Sequence, residues 1–241
     1  MKSIAVVGLG QIGGSLVLAL RKAKENAQII GIDPSLKRRK LLGKHLNESS
    51  ASWLGAFETD LIFACMHFAE LEKFLKTAKT AALIVDVCSS KELLVDLANR
   101  KRLRMIGGHP MAGSEHPGEK GWNANLFQNA PFFLCPAGTS TSADLNMLKR
   151  LLKKLGAVPK VVDPAKHDRA VAVTSHLPAL ISNSYANLAD GIAAEFFGPG
   201  FKSFTRPGKC SEELLQTFRQ SNQKNIRRTA SKFLRELERY F

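Results

Sequence analysis

The sequence predicts an α/β protein, in which a mostly parallel sheet domain precedes a smaller all-helical domain. The first observation is that apolar runs of strand length alternate with helical segments up to about residue 162, a pattern typical of a parallel sheet covered on both faces. The second is that this alternation stops after Asp163-Pro164, where Asp is a favoured helix cap and Pro fits the first helical turn. We therefore expect one domain at residues 1–163 and another at 164–241.

The first domain contains seven apolar runs that we predict to be strands. They are Ile4 to Val7, Gln28 to Ile32, Leu61 to Cys65, Leu83 to Val87, Leu103 to Ile106, Phe132 to Cys135 and Val158 to Val162. Longer segments of mixed polarity separate them and predict helices. These are the segment around Leu16 to Leu20, then Ala69 to Lys79, Lys91 to Arg100 and Ser142 to Leu155.

The second domain is predicted to be helical from Pro164 to about Asp190. This segment is apolar over more length than one helix face needs, which favours burial against a partner. Phe196 to Gly208 is rich in Gly, Pro and Phe and predicts a loop. A single basic amphipathic helix is then predicted to the end, because apolar residues recur there at helical spacing. They are Ile226, Phe233, Leu234 and Leu237.

Composition narrows the class of protein. The formal net charge is +14, which suits either nucleic acid or small anionic ligands. The basic residues are spread over several elements and few aromatic residues accompany them, so nucleic-acid binding is not favoured. No apolar run is long enough to span a membrane, and Met1-Lys2-Ser3 leads directly into a strand, so no signal peptide is expected. Four widely separated cysteines fit free thiols in a reducing cytoplasm.

A glycine-rich turn follows the first predicted strand. Gly8, Gly10 and Gly13 have the spacing of a dinucleotide-binding turn, with Gln11 and Ile12 inside it. The first glycine allows the tight turn, the second lets the backbone approach a pyrophosphate, and the third lets the helix pack on the strand. The helix amino terminus then faces the phosphates. Because the turn lies between a strand and a helix, it predicts a Rossmann-type dinucleotide site.

An acidic residue, Asp33, ends the second strand at the expected distance from this turn. Its carboxylate would accept hydrogen bonds from the ribose hydroxyls of adenosine, which favours NAD over NADP. Lys37, Arg38 or Arg39 could instead reach a 2′-phosphate, so NADP stays possible. A structural alternative for Asp33 is that it caps the helix that starts after Pro34.

Two further polar residues follow predicted strands. Ser89 comes after the strand ending at Val87, and His109 is predicted on a glycine-flanked loop after the strand ending at Ile106. Ligands of open α/β sheets bind beyond the carboxyl ends of strands, so both are candidates for a reaction site. The structural alternatives are that Ser89 caps the next helix and that His109 only stabilises a turn.

Five motifs together resemble the prephenate and arogenate dehydrogenase family, over nearly the whole chain. The most specific is the Gly108-His109-Pro110-Met111-Ala112-Gly113-Ser114-Glu115 block. The others are Gly8 to Gly13, Asp86-x-x-Ser89-x-Lys91, Ser175-His176-Leu177-Pro178 and Gly200-Phe201-x-x-Phe204-Thr205-Arg206.

The resemblance implies oxidative decarboxylation of prephenate to 4-hydroxyphenylpyruvate, with hydride transfer to NAD(P), in tyrosine biosynthesis. It implies that His109 takes the proton of the ring hydroxyl and that Ser89 holds that hydroxyl. It further implies that Arg206 binds a substrate carboxylate, that His176 and Ser114 line the substrate site, and that the helical domain forms a homodimer. His176 could also be a core histidine and Arg206 a surface arginine. No residue cluster has metal-ligand spacing, so no metal is expected.

Two departures from the family pattern leave the substrate open. Pro207-Gly208-Lys209 follows Arg206 where members commonly have a Ser-Asp-Pro segment and a Trp, and Ala179 stands where they often have His. The choice between prephenate and arogenate, whose oxidation gives tyrosine directly, is therefore open. Two separate alternatives are a β-hydroxyacid-type dehydrogenase and a non-enzymatic cofactor sensor or nucleic-acid-binding protein. A β-hydroxyacid-type enzyme would need a catalytic lysine in the helical domain and gives the His109 block no role.

Overall fold

A computed structural model describes residues 1–114 and 116–241. The chain divides into two compact units, Met1–Pro164 and Ala165–Phe241. The first unit is an α/β layer structure and the second is helical, so the predicted fold class is confirmed.

The first unit is built on one eight-stranded sheet. Its strands, β1 to β8, are Ser3–Val7, Gln28–Ile32, Glu48–Ser50, Leu61–Ala64, Leu83–Asp86, Met105–Pro110, Pro131–Pro136 and Val158–Val161. Their order across the sheet is β3-β2-β1-β4-β5-β6-β7-β8. Every neighbouring pair is parallel except β6 and β7, which run antiparallel. After β1 the chain adds β2 and β3 on one side, and then returns to add β4 on the other side of β1. The strand order therefore changes direction between β1 and β4, which is the position where such sheets bind ligands.

Five α-helices accompany the sheet in the described residues of the first unit. They are α1 Gln11–Lys22, α2 Leu36–Leu41, α3 Phe68–Thr77, α4 Glu92–Lys101 and α5 Ser142–Lys154. Alternate residues of one strand enter different cores: Ile4 and Val6 pack in one apolar cluster, whereas Ala5 and Val7 pack in another. Helices therefore cover both faces, which explains why the central strands are apolar throughout.

Strand β6 differs from the sequence prediction. It continues through Gly107 and Gly108 to Pro110, so His109 lies on a strand rather than on a loop. A Cβ at Gly108 would lie 2.4 Å from the Asp86 carbonyl oxygen, and one at Gly107 would lie 3.1 Å from Lys91 Cδ. These glycines are therefore explained by close packing inside the sheet and not by a turn.

The second unit contains five more helices. They are α6 Pro164–Val171, α7 Leu177–Asn187, α8 Pro199–Thr205, α9 Glu212–Ser221 and α10 Gln223–Glu238. A π-helical turn, Ala172–His176, joins α6 to α7. The small core of the second unit includes Ala172, Leu215, Phe218 and Ile226. No helix in the described parts of the chain is long and apolar enough to cross a membrane.

Two predictions for this unit are wrong. The segment predicted as a loop, Phe196 to Gly208, contains α8, which starts with Pro199 in its first turn, a position that tolerates proline. The predicted single C-terminal helix is two helices. They separate at Asn222, whose φ of −137° is not helical, and Ser211 caps α9 by accepting a hydrogen bond from the Leu214 amide.

Candidate active site

The glycine turn between β1 and α1 is shaped by contacts that only glycine permits. Gly8 has a φ of +90°, and a Cβ there would lie 2.5 Å from the Cys65 carbonyl oxygen. A Cβ at Gly13 would lie 1.9 Å from the Gly8 carbonyl oxygen. Gly10 differs, because nothing lies within 4 Å of its Cβ position. The turn is therefore tightly packed at both ends and open in the middle, at Gly10, where a phosphate group of a ligand has room.

Asp33 joins this turn to the end of β2. The residue is 3% exposed, and its two carboxylate oxygens accept hydrogen bonds from the backbone amides of Leu9 and Ser35, both at 2.8 Å. Oδ1 can accept a further bond, whereas Oδ2 also lies 3.5 Å from Arg38 Nη1. Ser35, not Asp33, caps α2 by accepting from the Arg38 amide, so the capping alternative for Asp33 is wrong.

The segment that follows β6 packs over the glycine turn. Gln11 Nε2 donates to Ser114 Oγ at 2.6 Å and to the His116 carbonyl oxygen at 2.7 Å. The indole of Trp122 donates to the Gly10 carbonyl oxygen at 2.9 Å. Residues predicted for two roles, Gln11 for cofactor and Ser114 for substrate, are thus in direct contact. Glu115 of the same block lies outside the described residues.

Ser89 and His109 are at the same edge of the sheet as the glycine turn. Strands β1, β4, β5 and β6 are all parallel to their neighbours in that series, so their carboxyl ends lie at one edge. His109 is half-buried near the end of β6, and Ser89 follows the end of β5. The Ser89 Oγ is buried and finds no hydrogen-bond partner among the described residues. Because α4 begins at Glu92 after Lys91, Ser89 is not its cap.

A buried ion pair lies beneath these two residues. Lys91 and Asp86 have side chains that are 0% exposed, and they contact each other directly. Lys91 Nζ also donates to the Gly108 carbonyl oxygen at 2.6 Å, and the Cys88 amide donates to Asp86 Oδ1 at 2.8 Å. Burial raises the pKa of the Asp86 carboxyl, and the Lys91 ammonium opposes that rise. The pair therefore ties β5, the Ser89 segment and the strand of His109 together.

His176 lies in the core of the second unit. Its ring is fully buried and stacks on Phe218 with centroids 4.3 Å apart. Asn222 Nδ2 lies 3.2 Å from His176 Nδ1 and donates to the Asp168 carbonyl oxygen. Burial lowers the pKa of His176 to about 4, so the ring is neutral at pH 7. Its Nε2 is buried and without a partner among the described residues.

The other candidate of the second unit, Arg206, is exposed and begins the short 3-10 turn Arg206–Gly208 after α8. Its assignment to a substrate carboxylate stays a prediction. Across residues 1–114 and 116–241, no group of three or more His, Cys, Asp or Glu side chains is placed to hold a metal ion.

Three features of the site were not foreseen from the sequence. The glycine turn is contacted by Trp122, the Asp86–Lys91 pair is buried, and Glu119 bridges to Lys37 and Arg38. The Asp86–Lys91 pair could have been predicted from the sequence, since a lysine five positions after an acid at the end of an apolar strand can reach back to that acid. The contacts of Trp122 and Glu119 could not have been predicted from local sequence, because about 80 or more residues separate each residue from its partners.

Comparison with known proteins agrees with this architecture. A family model described as "Prephenate dehydrogenase, nucleotide-binding domain" matches residues 16–161. A second, described as "Prephenate dehydrogenase, dimerization domain", matches residues 163–240. The two matches together span most of the chain, and the change from one to the other falls close to the division between the two structural units.

Individual relatives extend the comparison. A prephenate dehydrogenase of Lactococcus lactis is 30% identical over 92% of this chain, which spans 65% of the length of that relative. A solved prephenate dehydrogenase from A. aeolicus, in complex with hydroxyphenyl propionate and NAD+, has a TM-score of 0.89 and 26% identity, covering 99% of this chain and 89% of the other. A Synechocystis arogenate dehydrogenase has a TM-score of 0.81 and 29% identity, covering 99% and 90%.

Proposed function

Because the chain belongs to the prephenate dehydrogenase family, we propose that it oxidatively decarboxylates prephenate to 4-hydroxyphenylpyruvate with NAD as hydride acceptor, a step of tyrosine biosynthesis. One observation carries the proposal. Ser89, whose hydroxyl has no partner among the described residues, follows β5, and His109 lies near the end of the neighbouring parallel strand β6. Both are on the sheet edge that also holds the open glycine turn. The relatives named above support the same reaction.

The first unit fits a dinucleotide. The open space at Gly10 lies at the amino terminus of α1, where backbone amides favour a pyrophosphate. Asp33 Oδ1 accepts from the Ser35 amide and keeps acceptor capacity for a ribose hydroxyl, whereas Oδ2 contacts both the Leu9 amide and Arg38. Gly8, Gly10, Gln11, Ile12, Gly13 and Asp33 would hold the cofactor. When bound, NAD supplies the electrophilic nicotinamide ring that takes the hydride.

His109 is the proposed general base. It takes the proton from the ring hydroxyl of the substrate as the carbon that bears the hydroxyl loses its hydride. The ketone that forms is conjugated to the carbon that carries the carboxylate, so loss of carbon dioxide gives an aromatic ring. Ser89, whose hydroxyl has no protein partner among the described residues, would bond the same substrate oxygen. The main task of the protein is therefore to orient the substrate and remove one proton.

The second unit would supply the remaining substrate contacts. Arg206 is proposed to bind a carboxylate through its planar fork. If Asn222 donates to Nδ1 of the neutral His176, then Nε2 carries the hydrogen, and this donor has no partner in the described parts of the chain. That donor is suited to a carboxylate or carbonyl of the substrate. Ser114, already bonded to Gln11, would contact the substrate from the cofactor side.

A homodimer is the proposed assembly, since the second unit matches a dimerization domain. Its helices carry large apolar side chains that remain exposed in the single chain. They include Tyr185 and Leu188 near the end of α7 and Phe233, Leu234 and Leu237 on α10. An exposed apolar set of this kind is typical of a protein–protein interface.

Arogenate is the second candidate substrate. The observation that favours it is the 29% identity to the Synechocystis arogenate dehydrogenase. The two substrates differ at the side chain distant from the reacting hydroxyl, so the roles of His109 and Ser89 are the same for both. Products differ, because arogenate gives tyrosine directly.

The deciding experiment measures NADH formation from prephenate and from arogenate side by side, with carbon dioxide release followed in parallel. We expect prephenate to give the higher kcat/KM, with one carbon dioxide for each NADH. A higher kcat/KM with arogenate would replace the substrate assignment. Absence of NADH formation with both, in a folded protein that binds NAD, would overturn the proposed reaction.

A further inference from the structure

Three basic residues, Lys37, Arg38 and Arg39, follow Asp33 on α2. Free cations at this place would favour a 2′-phosphate, since arginine and lysine bind phosphate through charge-assisted hydrogen bonds. Whether they are available therefore bears directly on the choice between NAD and NADP. Two of the three, Lys37 and Arg38, are engaged by carboxylates of the protein itself.

Glu119 is the residue that engages both. Its Oε1 lies 2.6 Å from Lys37 Nζ, and its Oε2 lies 3.3 Å from Arg38 Nε. On its other side, Arg38 Nη1 lies 3.5 Å from Asp33 Oδ2. The guanidinium of Arg38 therefore lies between two carboxylates, and one of them is the predicted ribose acceptor.

The chain around Glu119 is shaped for this contact. Glu119 belongs to the 3-10 turn Gly118–Gly121, and Gly118 has a φ of +61°. A Cβ at Gly118 would lie only 3.2 Å from Arg38 Nη2, so glycine allows the turn to approach the guanidinium. Hydrogen bonds from Lys37 and from Arg38 lower the pKa of Glu119 to about 2. The carboxylate is thus charged throughout the physiological pH range.

We propose that Glu119 selects NAD against NADP by occupying Lys37 and Arg38, the cations that would otherwise bind a 2′-phosphate. This inference rests on the dinucleotide site proposed above and specifies its ligand. Asp33 and Glu119 carry two negative charges that balance Lys37 and Arg38, so a doubly charged phosphate gains little attraction from these two cations. NAD presents a hydroxyl at this position and needs only the acceptor oxygens of Asp33.

The exposure of the ion pairs makes the idea testable by mutation. The Lys37 side chain is 71% exposed and that of Glu119 is 24% exposed. Exposed ion pairs contribute little to stability, so removal of the Glu119 charge leaves the fold intact. It also frees Lys37, leaves Arg38 with Asp33 as its carboxylate partner, and adds one positive charge to the site.

The test compares NAD+ and NADP+ binding by isothermal titration calorimetry at low ionic strength, where surface charges are least screened. For Glu119→Gln we expect the Kd of NADP+ to fall about 10-fold or more, with the Kd of NAD+ changed less than about 2-fold. Adding Arg38→Ala to Glu119→Gln should remove most of the gain. Glu25→Gln is the matched control, because Glu25 pairs with Lys154, outside α2 and the 3-10 turn, and its loss changes the net charge equally.

Each other outcome is decisive. An unchanged ratio of the two Kd values in Glu119→Gln overturns the proposal, as does an equal change in Glu25→Gln. Wild-type protein that binds NADP+ as tightly as NAD+ also overturns it. Because no substrate is present, these results are independent of the reaction itself. Failure of the wild-type protein to bind either dinucleotide would overturn the dinucleotide site together with this inference.

Discussion

The ammonium of Lys91 donates to the carbonyl oxygen of Gly108 at 2.6 Å, one residue before His109. The same ammonium contacts the buried carboxylate of Asp86. The placement of the proposed base thus depends on a charge pair that has no access to water. This contact gives the first of five predictions.

Lys91→Met should destabilise the protein by about 3–5 kcal/mol, because it leaves Asp86 buried without its cation. Asp86→Leu combined with Lys91→Met should recover much of that loss, since neither charge remains. Urea unfolding at pH 7 measures both. Burial already raises the pKa of Asp86, so the folded single variant binds a proton more readily than its unfolded chain, and its stability should rise as pH falls. A single variant as stable as the wild type would contradict the buried pair.

His109→Asn should lower kcat by about 10²–10⁴-fold, the range expected for loss of a general base. NAD+ binding should change little, because the cofactor turn begins at Gly8, after a different strand of the sheet, β1. Turnover measured as NADH formation and binding measured by calorimetry separate the two effects. Unchanged NADH production would refute the assignment of His109 as the base.

Gly10→Ala tests the open centre of the glycine turn. Nothing lies within 4 Å of the Gly10 Cβ position, so the variant should fold with a loss of stability below about 1 kcal/mol. The added methyl group would occupy the approach of the pyrophosphate, and NAD+ affinity should fall about 10-fold or more.

Gly43→Ala is the control for that change, because its Cβ position is equally open and lies after α2. It should alter neither NAD+ affinity nor stability by more than a small margin. Undiminished NAD+ affinity in Gly10→Ala would place the pyrophosphate elsewhere.

His176 should make stability depend on pH below neutrality. Its pKa is lowered from 6.5 to about 4, so the unfolded chain binds the proton more readily than the folded protein. The stability that neutral His176 contributes to the folded protein is complete above about pH 6.5 and is lost as pH falls towards 4. His176→Phe, which keeps a ring against Phe218, should unfold with a shallower pH dependence between those values. The free energy of unfolding is measured with urea at pH 4, 5, 6 and 7 for both proteins. The same change of this free energy with pH in the wild type and in His176→Phe would contradict the buried neutral histidine.

The apolar residues of α10 should matter for assembly. Leu234→Asp with Leu237→Asp places two charges among side chains that are exposed in the single chain, and this should convert a dimer to a monomer. Sedimentation velocity measures the change, and circular dichroism checks that the helices persist. The matched control is Leu54→Asp, also exposed but in the first unit. A wild-type protein that sediments as a monomer would overturn the proposed dimer.

Hydrophobic periodicity was sufficient to predict most of the sheet, because the central strands are buried on both faces. It failed where side chains are absent or polar. The apolar run of β6 ends at Ile106 because Gly107 and Gly108 follow it, so the rest of that strand was missed. The edge strand β3 consists of Glu48, Ser49 and Ser50 and has no apolar run. Asn222 interrupts the last predicted helix without Gly or Pro to indicate the break.

The candidate site was predictable where its residues are close in sequence. The turn from Gly8 to Gly13 and Asp33 follow a local pattern whose spacing reflects one strand–helix–strand unit. The contacts of Glu119 with α2 and of Trp122 with Gly10 join distant segments. Only the folded sheet brings them together, and no local spacing encodes them.

The chain has two tryptophans, and they lie in different surroundings. Trp53 packs edge-on against Phe74, whereas Trp122 bonds the Gly10 carbonyl in the middle of the turn. In Trp53→Phe protein, the tryptophan fluorescence, excited at a wavelength that tyrosine hardly absorbs, would come from Trp122 alone. A change in the emission of Trp122 would then report the binding of a dinucleotide at the glycine turn, without any label or substrate.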